Sequence, residues 1–308
     1  MISTKKWKFI AELDLGLLFL QTSEPYDLKT MFTFSELVKK LSSQLEIYDA
    51  QEATSLVNWL LEYHLGLRRV DMMHFLEEKD LPENLFEDLG RLKAGEPIQY
   101  ILGKAPFYGH EFIVNQSTLI PRNETEELVH LILKENKSSG LKILDIGTGT
   151  GCIPISLALE LDQANVYGLD ISEEVLEVAY TNAKLLLAAV TFLRCDILKS
   201  LPPVDELDIL VSNPPYIPEK GKSEMHRNVL DFEPGLALFV PDEDPLLFYK
   251  VIADQGKRLL KVGGKIYFEI HEDFGNEVTS LLDKLGYSQI RLLKDLNGKD
   301  RIVAGKWR

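Results

Sequence analysis

The 308-residue chain has little cysteine, little tryptophan, a deficit of positive charge and no long apolar run. Two cysteines, Cys152 and Cys195, cannot make a disulfide framework or a four-thiolate metal site. Stapled secreted scaffolds are thereby excluded, and a reducing, cytoplasmic setting is expected. The nearest approach to a leader is the stretch from Met1 to Leu20, where Lys5, Lys6 and Lys8 precede apolar residues. Glu12 and Asp14 interrupt that stretch, and no small-residue cleavage site follows. Nothing approaches the roughly 20 apolar residues needed to span a bilayer, so no membrane association is expected. Lys and Arg number 34 against 48 Asp and Glu, a net charge of −14. That balance opposes general binding to a polyanion, and no direct nucleic-acid partner is expected. The six histidines are scattered without ligand spacing, so no metal is expected either.

What the chain does have is 45% hydrophobic residues, enough for a sizeable core. Its patterning changes along its length. Residues 1–33 read as an N-terminal extension of unknown role, with Met31 standing where a helical bundle would begin. From 34 to 94 apolar residues recur at helical spacing: Leu37, Val38 and Leu41; Leu56, Val57, Leu60 and Leu61; Leu85, Phe86, Leu89 and Leu92. Between 95 and 125 the pattern turns extended, with Phe107, Tyr108, Phe112, Ile113 and Val114 around Gly109 reading as a hairpin connector. From 126 to 308 short, wholly apolar runs alternate with longer helical ones. The runs 142–146, 166–169, 207–211 and 265–270 are the expected strands. Such strands separated by helices require a mostly parallel sheet covered on both faces, an α/β fold. The segments 290–293 and 301–304, on either side of Asn297-Gly298, read as a closing antiparallel hairpin.

Three features of this half carry chemistry. Leu144-Asp145-Ile146-Gly147-Thr148-Gly149-Thr150-Gly151 follows the first strand and opens a helix. Glycines allow a sharp turn and close approach to a ligand, at the strand end where open α/β sheets hold nucleotides. The dinucleotide fingerprint needs a sixth-position glycine, and Cys152 stands there, which removes a dehydrogenase. The loop instead resembles the one that cradles S-adenosylmethionine, and Asp145 suits a cationic ligand end. Asp170 closes the next strand, placed to accept two ribose hydroxyls, and Ser172 is positioned to cap the helix after it. Beyond the third strand, Asp196 is a candidate acceptor for an adenine amino group, with Ile197 on the ring face.

Asn213-Pro214-Pro215-Tyr216, just after the strand at 207–211, is the most informative element. Tandem prolines hold a rigid turn at the carboxyl edge of the sheet. The Asn213 side-chain carbonyl and the Pro214 backbone carbonyl are two acceptors suited to a planar amino group. Tyr216 offers a face for a flat amide or base. Glu269 and Glu272, flanking His271, read as solvated carboxylates at a strand end.

Together these motifs resemble a class I (Rossmann-like) methyltransferase acting on an amide or exocyclic nitrogen, and more closely the HemK/PrmC family. Supporting stretches are Gly95-Glu96-Pro97-Ile98-Gln99-Tyr100, Phe107-Tyr108-Gly109, Leu119-Ile120-Pro121-Arg122-Asn123-Glu124-Thr125-Glu126 and Phe232-Glu233-Pro234. The resemblance implies a seven-stranded, mostly parallel sheet and a small helical domain at 34–94 that recognises the substrate. It implies methyl transfer from S-adenosyl-L-methionine to the glutamine of the Gly-Gly-Gln motif in peptide chain release factors. Gly147, Thr148, Gly149, Thr150, Gly151, Asp170, Asp196, Ile197 and Asn213 would bind the donor. Asn213, Pro214, Pro215 and Tyr216 would hold the glutamine, with Phe107 and Arg122 walling the site. Asn123 and Ile197 depart from the family's usual proline and aromatic. A monomer is expected. A ribosomal-protein glutamine and a DNA adenine remain open as alternative acceptors.

Overall fold

The computed structural model describes residues 31–66, 75–77 and 81–308; the expected extension up to residue 30 lies outside them. Its last three residues, Met31–Thr33 (β1), pair antiparallel with Phe75–Glu77 (β2) and so belong to the helical unit that follows. That unit contains helices α1 (Phe34–Ser42), α2 (Ala50–Leu65), α3 (Glu83–Lys93) and α4 (Ile98–Leu102). Thr33 and Glu36 form a reciprocal capping box at α1. Asp49 accepts from two backbone amides at the start of α2, and Gly66 ends α2 in the left-handed conformation. The three expected stripes interlock, with Leu37, Leu41, Val57, Leu60, Leu61, Leu85, Leu89 and Leu92 all buried. Each such side chain contributes about 2 kcal/mol. Phe86, counted in the third stripe, instead faces solvent.

The segment after Gly95 is not extended at once. Pro97 starts α4 and a left-handed Gly103 stops it, and Ile98, Ile101 and Leu102 fall on one face packed into the helical core. The hairpin then follows as expected. Lys104–Phe107 (β3) pairs with His110–Ile113 (β4), and Tyr108 and Gly109 take positive φ in the turn.

The remainder is a three-layer α/β unit. Its strands are β5 (Lys142–Ile146), β6 (Asn165–Asp170), β7 (Val190–Arg194), β8 (Leu207–Ser212), β11 (Leu260–Glu269), β12 (Ser288–Lys294) and β13 (Asp300–Lys306). They lie in the order β12-β13-β11-β8-β5-β6-β7. Five neighbours from β11 to β7 run parallel, and β13 is antiparallel to both β11 and β12. Helices α5 (Asn123–Glu135), α6 (Cys152–Glu160) and α7 (Glu173–Leu186) follow Gly103 in chain order. One face of the sheet, with Ile143, Ile209, Val211 and Tyr267, packs with residues of α5, α6 and α7. The other, with Leu144, Leu210, Ile266 and Phe268, packs under α9 (Leu247–Leu259) and α10 (Gly275–Leu285). Alternate residues of each strand thus feed opposite cores, which is why the strands read as unbroken apolar runs. The chain leaves β5 to build outward through β6 and β7, then returns to β8 on the other side of β5. This reversal opens a crevice at the carboxyl ends of β5 and β8.

Two further parallel pairs of residues, Ile217–Pro218 (β9) with Phe239–Val240 (β10), close the excursion between β8 and α9. The short helix α8 (Arg227–Phe232) lies within it. Among the described residues no helix is long and apolar enough to cross a membrane.

Candidate active site

The carboxyl ends of the five parallel strands carry the candidate residues side by side. β11 ends at Glu269, β8 leads into Asn213, β5 into the glycine loop, β6 ends at Asp170 and β7 leads to Asp196. Ser212 sits in register with Ile146 and Phe268, so the Asn213 turn is held between the glycine loop and Glu269. The Ser212 hydroxyl adds a 2.6 Å hydrogen bond to the Ile146 carbonyl.

Gly147, Gly149 and Gly151 all take positive φ. A Cβ on Gly147 or Gly149 would meet nothing within 4 Å, whereas one on Gly151 would lie 2.9 Å from Ile155 Cδ1 and 3.3 Å from Ala179 Cβ. The first two glycines therefore face open space, and the third lets α6 pack against α7. Behind the loop, Asp145 is fully buried, and neither of its carboxylate oxygens has a hydrogen-bond partner among the described residues. The neighbouring Thr148 hydroxyl is likewise unpartnered. Burial pushes the Asp145 carboxyl up to about 7; the nearby Thr148 hydroxyl offsets part of that rise, and the charge of Asp170 adds a smaller increment. Asp170 accepts from the Gly149 amide at 3.1 Å and the Ser172 amide at 3.2 Å. Burial raises its pKa too, and these backbone amides do not exhaust the carboxylate's acceptor sites. Ser172 caps α7 as expected, through the Val175 amide.

Orphaned acceptors beside an open cradle of backbone, with a second carboxylate at the next strand end, fit a ligand with a cationic end and a ribose diol. S-adenosylmethionine is such a ligand. Asp145 and the 147–151 loop would hold its amino-acid portion, and Asp170 its ribose.

Asp196 is joined to this cradle by the backbone, since the Cys195 amide donates to the Asp170 carbonyl at 3.0 Å. Its carboxylate is engaged locally, by Lys199 at 2.8 Å and by the Leu198 amide at 3.0 Å. Hydrogen bonding from Lys199 lowers its pKa. Ile197 is buried in the core beneath α9, and its carbonyl accepts from Gln255.

The structure also places residues around Asn213 that the sequence reading undervalued. Asn213 Nδ2 donates to Thr125 Oγ1 at 3.2 Å, and Thr125 Oγ1 donates to Glu269 Oε2 at 2.7 Å. The Tyr216 hydroxyl reaches Glu269 Oε1 at 3.5 Å, and the Tyr216 ring meets His271 edge-on. Glu269 was expected to be solvated at a strand end; it is 1% exposed instead, because α5 and the Asn213 turn close over the end of β11. Burial pushes its carboxyl up to about 7. Only Glu272 matches the solvated reading, paired with Lys299.

Phe107 does not wall the site. It is 1% exposed and packs edge-on against Phe112 in the core that also holds Leu128 and Val129 of α5. Arg122 sits at the start of α5 and pairs at 2.6 Å with Glu233, whose side chain is 1% exposed and which also accepts from the Ile120 amide. Arg122, itself about a third exposed, thereby clasps the 215–240 excursion to the connector through a buried carboxylate. Asn182, buried on α7, bonds both Ile113 backbone groups and the Thr150 carbonyl, tying the hairpin to the glycine loop. Glu233 lies in the Phe232-Glu233-Pro234 stretch, but no local pattern marks Asn182 or Glu269; all three act through partners distant in sequence. Cys152 is buried, and burial pushes its thiol up to about 12, in keeping with a packing role.

The sheet order, the glycine loop and the acidic residue closing the second parallel strand define a class I S-adenosylmethionine-dependent methyltransferase. Residues 137–290 match a family model described as a methyltransferase domain, and residues 36–103 match the PrmC N-terminal domain. The chain is 44% identical over 281 residues to the release factor glutamine methyltransferase of Flavobacterium psychrophilum, covering 89% of this chain and 98% of that one. It is 45% identical over 270 residues to that of Bacteroides thetaiotaomicron, covering 84% and 94%. Against that of Bacillus subtilis it is 37% identical over 283 residues, covering 89% and 97%. The chain belongs to the release factor glutamine methyltransferase family.

Proposed function

We propose that this protein methylates the side-chain amide nitrogen of the glutamine in the Gly-Gly-Gln motif of peptide chain release factors, in the cytoplasm. The observation that carries the reading is the juxtaposition of the Asn213-Pro214-Pro215-Tyr216 turn with the glycine loop, in a chain 44% identical to a release factor glutamine methyltransferase. S-adenosylmethionine supplies an electrophilic methyl on a sulfonium. The Asn213 side-chain carbonyl and the Pro214 backbone carbonyl accept the two N–H groups of the substrate amide. That grip turns the nitrogen lone pair out of conjugation and toward the methyl. A new N–C bond forms as the C–S bond breaks, and the nitrogen sheds one proton after transfer. Because the thioether leaves neutral, orientation is the main contribution asked of the protein, and good geometry contributes about 7–11 kcal/mol. The helical unit supplies recognition of the release factor, and the hairpin holds that partner over the site.

Intact mass of a purified release factor, incubated with this protein and S-adenosylmethionine, tests the reading. One added methyl that maps to the Gly-Gly-Gln glutamine, and disappears when that glutamine is replaced, is the expected result. An unchanged mass, with donor binding confirmed separately, overturns the assignment of the acceptor. Ribosomal proteins and then nucleic acids would be the next acceptors to try.

A further inference from the structure

Presenting a carbonyl to the substrate requires the Asn213 amide to be held one way round. An asparagine side chain is nearly symmetric in shape, and its two ends differ only in hydrogen-bond sense. Flipped, Asn213 would offer an NH2 to an NH2 and repel the glutamine. The turn itself cannot choose, since prolines fix backbone and not the χ2 angle of the preceding residue.

The choice is made from α5 and β11. Thr125 Oγ1 stands 3.2 Å from Asn213 Nδ2 and 2.7 Å from Glu269 Oε2. A hydroxyl has one proton to give. Directed at Glu269, it leaves only lone pairs facing Asn213, so the NH2 end must turn to Thr125 and Oδ1 must turn away. The other Glu269 oxygen is in contact with the Tyr216 hydroxyl. One carboxylate therefore touches both ends of the Asn-Pro-Pro-Tyr turn, through Thr125 at its first residue and directly at its last. Glu269 is held in turn by its place at the end of β11, where Phe268 is in register with Ser212 of β8. The Glu269 backbone carbonyl accepts from Tyr249. The Arg301 guanidinium favours the charged form of the Glu269 carboxyl. A buried carboxyl with only hydroxyl donors is costly to keep, and orienting the turn is a use that explains it.

We infer that Thr125 and Glu269 are positioning residues that set the orientation of the Asn213 amide, and thereby the acceptor presented to the substrate nitrogen. The inference rests on the proposed glutamine-amide chemistry of this site.

Thr125→Val removes the hydroxyl at nearly constant shape, and Thr125→Ser restores it. Turnover of Thr125→Val on a release factor is expected to fall about 30-fold, with KM and donor affinity within about threefold of wild type. Thr125→Ser should recover most of the rate. Thr125→Val/Asn213→Ala should be no slower than Asn213→Ala alone, because the hydroxyl acts only through that amide. Independently of any acceptor, the side-chain NH2 resonances of Asn213 in the asparagine-labelled full-length protein should move in Thr125→Val and return in Thr125→Ser. A Thr125→Val protein that keeps wild-type turnover, or additive losses in the double variant, overturns the inference while leaving the methyltransferase reading intact. Should the wild type fail to methylate a release factor, the resonances alone decide, and unmoved Asn213 signals overturn it.

Discussion

Replacing Asp145 by asparagine should make the donor-free protein more stable and a worse enzyme. The carboxyl ionises at 3.8 ordinarily and at about 7 in the fold, because burial strips its hydration and the neighbouring Thr148 hydroxyl makes up only part of the loss. Between those two values the folded chain holds a proton that the unfolded chain has lost. Stability therefore falls as pH rises from about 4 to about 7 and levels off above, by no more than ~4 kcal/mol in all. Asparagine carries no charge and escapes that loss. The advantage of Asp145→Asn over wild type should accordingly widen by ~2–3 kcal/mol between pH 5 and pH 8. Glu269 titrates in the same direction in both proteins alike, so its contribution cancels in the difference, and the coupling of Asp145 to Asp170 enters only as a smaller contribution. Urea unfolding of both proteins at the two pH values, without donor, measures this. Calorimetric titration with S-adenosylmethionine should show affinity reduced about tenfold or more, since on the proposed reading the unpartnered Asp145 carboxylate would face the cationic end of the donor. An advantage that stays constant within ~0.5 kcal/mol from pH 5 to pH 8 would refute the reasoning, because Asp145 would then not be an isolated buried charge.

Asn213→Ala should lower turnover about 100-fold or more while donor affinity by calorimetry changes less than about threefold, the mark of an interaction made mainly in the transition state. Gly147→Ala should cost only ~1–2 kcal/mol in stability, from its positive φ. The added methyl would project into the open cradle, so S-adenosylmethionine affinity should fall about tenfold; a melt and a titration on one sample separate the two effects. A chain beginning at Lys104 should retain donor binding and lose methylation of the release factor. Retained full activity would remove the helical unit from recognition.

Much of the fold was legible because its strands and helices are local patterns. The wholly apolar runs of β5, β6, β8 and β11 announce burial on both faces, and the helical stripes of α1, α2 and α3 announce one. The glycine loop and the tandem prolines were legible for a related reason: backbone conformations that few residues tolerate leave their mark on composition. Where a helix is a single turn the pattern fails. Ile98, Ile101 and Leu102 are too few to announce α4, and the helical core completes it. Phe86 shows the converse, an apolar residue in phase with a stripe yet turned outward because α3 packs on only one side.

The sequence by itself determined the parallel sheet, the glycine loop and the tandem-proline turn, since each rests on the allowed φ/ψ of consecutive residues. Only the tertiary structure decided that Phe107 supports the core and not the site, that Arg122 is bound to Glu233, and that Glu269 is buried behind Asn213. Those roles depend on which distant side chain desolvates a group or supplies its hydrogen bond. Partners 111 and 144 residues away, as for Arg122–Glu233 and Thr125–Glu269, leave no periodicity to read.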